Sequence, residues 1–66
     1  MDVDQFKKAW TNSNYIPDIG YAIVFLEDES EIYSDQYAIG SGNKIFFSRD
    51  HMIIASVKVD KILSVL

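Results

Sequence analysis

Two apolar runs, Ile45-Phe46-Phe47 and Met52-Ile53-Ile54-Ala55, flank four polar residues, Ser48-Arg49-Asp50-His51. Both runs suit a pleated strand and the gap suits a tight turn, so the spacing predicts an antiparallel hairpin over residues 44–59. In the first arm Ile45 and Phe47 share one face, with Lys44, Phe46 and Ser48 on the other. In the second, His51, Ile53, Ala55, Val57 and Val59 share a face opposite Met52, Ile54, Ser56 and Lys58. The unbroken Ile53-Ala55-Val57 series marks the inside. Met52 and Ile54, together with Phe46, are then expected on the outer face.

Ahead of the hairpin, Val3, Phe6 and Trp10 recur as a helical stripe. Asp2 can cap that helix, with Gln5 as its capping-box partner, and Asp4 early with Lys7 and Lys8 late suits the helix dipole. A helix over residues 3–11 follows, too short to persist in water unless its stripe docks, with Trp10 as the expected anchor on residues 21–26. Thr11-Asn12-Ser13-Asn14 ends it, and Pro17, holding Ile16 extended, with Asp18 and Gly20 completes a linker. Residues 21–26, Tyr-Ala-Ile-Val-Phe-Leu, are apolar on both alternating faces, which predicts a central strand. Glu27-Asp28-Glu29-Ser30 is its acidic turn. Residues 32–39 place Tyr33, Asp35, Tyr37 and Ile39 on one face and Ile32, Ser34, Gln36 and Ala38 on the other. Neither face is clearly apolar, so this strand is an edge or strongly bent. Gly40-Ser41-Gly42-Asn43 is a turn whose glycines are free to take positive φ.

At the end, Val59-Asp60-Lys61 reads as a helical turn into a short final strand over Ile62-Leu63-Ser64-Val65-Leu66. A C-terminal helix competes, because Val59, Ile62, Leu63 and Leu66 also fit helical spacing. The fold class is α+β: a short N-terminal helix, then a strongly bent antiparallel sheet of four to five strands in one domain. The order of bent strands, tight hairpin and the Val59-Asp60-Lys61 turn into a last strand resembles small SH3-like or Sm-like barrels from Tyr21 onward, an architectural resemblance that implies a closed barrel. The Gly and Asn signatures of Sm RNA-binding loops are not found. The rival architecture is an open antiparallel sheet with N- and C-terminal helices.

Composition narrows the partners. In 66 residues, 48% are hydrophobic and 14% aromatic, too much for disorder. With no cysteine, disulfides and thiolate metal sites are excluded. Ten Asp and Glu against six Lys and Arg give a net charge of −4, which disfavours binding nucleic acid through its phosphates. Neither a secretory signal nor an apolar run of membrane-spanning length is visible, so a cytoplasmic location without a membrane partner is the default.

Catalytic motifs are not apparent. Glu27, Asp28, Glu29 and Glu31 crowd a predicted turn where solvent would level their acidities, unlike the differently tuned carboxylates of acid–base sites. His51 is the lone histidine, and its neighbours Ser48 and Asp50 in one turn do not form a triad, whose members converge through the fold. Residues 40–44 lack the spacing of a phosphate loop. No enzyme activity, metal or cofactor is therefore expected.

Tyr15, Tyr21, Tyr33 and Tyr37 outnumber what so small a core requires, and such aromatics are at home in protein interfaces. The expected function is that of a small acidic binding protein acting through protein–protein contacts; by analogy of composition this extends to an inhibitor encoded by a virus or mobile element. The alternative is an oligomer that sequesters a small molecule or nucleotide between subunits. Candidate binding residues are Tyr33, Tyr37, Lys44, Arg49 and His51. Candidate interface residues are Phe46, Met52, Ile54 and Leu66. More apolar surface is left over than one small core can hold, so a homo-oligomer is expected, a two-fold dimer first.

Overall fold

A computed structural model describes residues 1–13 and 16–66. Asn14 and Tyr15, part of the expected helix end and of the tyrosine set, lie outside the described residues. Helix α1 spans Val3–Thr11, as the stripe predicts. Asp2 accepts from the Gln5 amide and the Gln5 side chain accepts from the Asp2 amide, both at 2.8 Å, so the capping box is complete. The linker expectation needs correction. Ile16–Ile19 forms a single helical turn, α2, closed by the Gly20 amide donating to the Ile16 carbonyl at 2.9 Å. Ile16 is thus helical rather than extended. Pro17 fits because early helical positions have no use for the missing N–H.

Six strands follow: β1 (Ala22–Leu26), β2 (Glu31–Ser34), β3 (Gln36–Ile39), β4 (Lys44–Arg49), β5 (Met52–Lys58) and β6 (Ile62–Val65). They form two antiparallel three-stranded sheets, ordered β2-β1-β6 and β3-β4-β5. The α+β class holds. The sheets do not close into a barrel, and six strands replace the expected four to five, because residues 32–39 are not one strand. Asp35 breaks the run and the chain changes sheet there. Ile32 and Ser34 point into the core before the break, while Tyr37 packs against it afterwards. The side-chain parity switches at this corner, which is why neither face of the run was apolar in the sequence.

Strand β1 is the central strand of its sheet, as its two apolar faces required. The last segment is a 3-10 turn, Val59–Lys61, leading into β6, so the C-terminal helix is not formed. Between β3 and β4, Gly42 takes the positive φ of 68° that suits glycine. Gly40 does not; a Cβ there would stand 2.6 Å from the Phe46 ring, so its reason is close approach.

The core joins Phe6 to Ala22, Val24, Ile32, Ile45, Phe47, Val59, Ile62 and Val65. Helix α1 docks chiefly on β6 and on the aromatic groups of the second sheet, rather than on β1. Phe6, fully buried, stands edge-on to Tyr37 and Phe47 at 4.9 and 5.8 Å. Trp10 meets Tyr37 at 4.8 Å but is only partly buried, so Phe6 and not Trp10 is the anchor.

Candidate functional site

The β4–β5 hairpin turns on Asp50 and His51 alone, with Ser48 and Arg49 drawn into β4. Both turn residues have positive φ, 53° and 68°, as in a type I′ turn, whose twist matches the flanking strands. Asp50 is steadied by its amide donating to the Asp35 carboxylate at 3.1 Å.

Further along, Ile45 pairs with Val57 and Phe47 with Ala55, putting these four on the core side. The register then slips: Ser48 faces Ile53, and Ile54 is left without a partner. This bulge carries Ile53 to the outer face, because an added residue reverses the alternation. The inward placement of Ile53 is therefore corrected; it is 70% exposed, as is Met52. Ile54 is also exposed, and Phe46 is half-buried on the outer face. A second slip between Phe25 and Leu26 leaves Leu63 of β6 unpaired and 60% exposed. Leu66 is exposed beside β1, where its backbone exchanges hydrogen bonds of 2.8 and 3.0 Å with Ile23.

The candidate binding residues are not gathered into one site. Tyr33 and Arg49 are neighbours: the guanidinium Nη1 donates to the Tyr33 carbonyl at 3.4 Å, and its carbon sits 5.9 Å from the Tyr21 ring centroid. The Tyr33 hydroxyl donates to Glu31 at 2.7 Å, and that bond, followed by the Glu31 charge, raises the phenol's pKa. His51 is exposed at the tip of the hairpin. Lys44 lies at the opposite end of β4, paired with Lys58 and five residues from Arg49, roughly 17 Å of strand. Tyr37 is half-buried beneath α1, between Phe6 and Trp10.

Among the acidic residues, Asp28 accepts from both the hydroxyl and the amide of Ser30, which hold its carboxyl below the usual range. Glu27 faces Lys61 at 3.9 Å, an exposed pair that adds little stability. Beside them a cleft of about 540 Å³ opens between the sheets, lined by Leu26, Glu27, Asp28, Val57 and Lys61. Among the described residues, no group of three or more His, Cys, Asp or Glu could hold a metal ion, and no helix is long and apolar enough to cross a membrane.

Sequence reasoning missed Ile53 and Leu63, because each is displaced by a bulge that alternation cannot register. A faint signal did exist: three large apolar residues in succession, Met52-Ile53-Ile54, cannot all point inward from one strand. Comparison with known protein families, with curated proteins and with solved structures finds no match.

Proposed function

We propose that this chain is a non-catalytic binding protein that acts through protein–protein contacts made by the outer edge of the β4–β5 hairpin. The observation that carries the reading is the exposure of Met52, Ile53 and Ile54 in succession on an edge strand. An edge strand offers unpaired backbone groups, and large apolar side chains beside them favour a covering partner. Self-association is the first form of contact, and a different protein covering the same strand is the second. The acidic residues, nine of ten of which lie outside the hairpin segment, serve solubility or the electrostatic fit to such a partner.

A small-molecule reading has one observation behind it: the cleft at Leu26 and Val57 falls within the size range of ligand pockets. Its lining is not the Tyr33, Lys44, Arg49 and His51 set, so a nucleotide held by those residues has no common site in one chain.

Native mass measurement of the protein purified from its own host separates the two readings. The contact reading expects a mass exceeding one chain by whole protein chains, lost when Met52→Lys and Ile53→Lys are combined without change in the circular dichroism. A single chain carrying only a small molecule would reverse the choice.

A further inference from the structure

We infer that the β5 edge pairs with the β5 edge of a second copy, antiparallel and about a two-fold axis at Ile54, joining two sheets into one of order β3-β4-β5-β5-β4-β3. The inference rests on the protein-contact reading above and names its partner.

The edge itself comes first. β5 is the longest strand, and β4 covers only one of its sides. From Met52 to Lys58 it contains neither proline nor a carboxylate. Its charge at Lys58 stands at the far end, so the usual protections of an edge are few. The bulge at Ile54 is the one device that opposes pairing, and an axis at that residue makes both strands twist alike. The other edges are less free: β2 carries Glu31, β3 begins directly after Asp35, and β6 lies against α1.

Charge decides for a second copy over an unrelated protein. A chain of net charge −4 repels itself wherever carboxylates meet. Of its ten acidic and six basic residues, the hairpin 44–58 holds one and three, leaving nine and three elsewhere. Along the chain acid is thus concentrated outside this hairpin. Asp35 comes to its tip, where its carboxylate accepts from the Asp50 amide. The β5 edge from Met52 to Lys58 nevertheless carries no carboxylate, so two copies can approach there. In the antiparallel register that sets Ile54 against Ile54 of the second copy, Lys58 stands four residues on one side and Asp50 four on the other. The two-fold axis then brings Lys58 of each copy to Asp50 of the other, twice over. Ile53 meets Ala55 and Met52 meets Ser56, so large side chains face small ones.

The absence of native cysteine allows a direct test by cross-linking. An Ile54→Cys variant of the full chain, mildly oxidised at micromolar concentration, should become mostly disulfide-linked dimer. Leu63→Cys, at a more exposed site, should cross-link far less. Comparable cross-linking at both positions, or none at Ile54→Cys, would overturn the inference. Charge reversal gives an independent reading. Lys58→Glu should weaken dimerisation tenfold or more, and adding Asp50→Lys in the same chain should restore it. Within one chain Asp50 sits in the hairpin turn and Lys58 at the far end of β5, roughly 20 Å apart, so rescue must come from the second copy. Failure of rescue in a double variant with an unchanged melting curve would also count against the register. If the wild type associates but these tests fail, the register is wrong while the contact reading stands. If the wild type is monomeric and binds another protein through Met52 and Ile53, only the second-copy inference falls.

Discussion

Phe6 has the most to lose on truncation. It is fully buried and touches Tyr37, Phe47 and Trp10 with its ring. Phe6→Ala should cost about 3–5 kcal/mol, and Trp10→Ala less because its ring is half in water. A core this small leaves only a few kcal/mol of net stability, so urea melts should find Phe6→Ala largely unfolded at 25 °C. Ser34 is the other residue whose role is set by burial. Its hydroxyl lies 2.7 Å from the Gln36 carbonyl and 2.8 Å from that of Ser48. One proton serves both, holding the corner where the chain changes sheet. Ser34→Ala should therefore destabilise by about 1–3 kcal/mol in the same assay.

Tyr33 gives a pH signature. Its raised pKa means that the folded chain holds the proton more tightly than the unfolded chain does. The resulting stabilisation is present below the ordinary tyrosine pKa and is lost as pH rises through the raised one. Absorbance titration should show the Tyr33 phenol ionising late, and Glu31→Gln should bring it earlier. Asp28 has the opposite sign: its depressed pKa contributes stability above the ordinary aspartate range, lost as pH falls through the folded value.

The elements differ in how plainly the sequence specified them. Helix α1 was legible to the residue because Asp2, Gln5 and the Val3-Phe6-Trp10 stripe agree on one answer. The hairpin was legible for a similar reason, local pattern and turn chemistry coinciding. The Val59–Lys61 turn was one of two readings, because Val59, Ile62, Leu63 and Leu66 also fit helical spacing. What alternation could not reveal was any change of parity. Asp35 switches the inward face between β2 and β3, and the bulges at Ile54 and Leu63 turn apolar residues outward. The exposure of Met52 and Ile54 was therefore readable, whereas that of Ile53 was not. The binding set Tyr33, Tyr37, Lys44, Arg49 and His51 was chosen by residue type, and type alone does not fix which end of a strand a residue occupies. The I′ turn offers an element-scale prediction. His51 pays for a left-handed backbone that glycine adopts freely, so His51→Gly should raise stability by up to about 1 kcal/mol. Thermal melts check this, and a loss of stability would mean that the imidazole makes a contact the turn depends on.

At the scale of the whole molecule, apolar burial and charge are unevenly placed. The two sheets and α1 enclose one core, while the β5 edge retains Met52, Ile53 and Ile54 outside it. The hairpin segment is locally basic within an acidic chain, and its β5 edge combines exposed apolar side chains with the absence of any carboxylate from Met52 to Lys58. Edge and charge together make association the central claim. Its most direct test is light scattering of the wild-type chain at micromolar concentration, beside Ile53→Lys. The account predicts a mass of two chains of 7.6 kDa for the wild type and of one for the variant, with equal melting curves. A well-behaved mass of one chain for the wild type across that concentration range would contradict it.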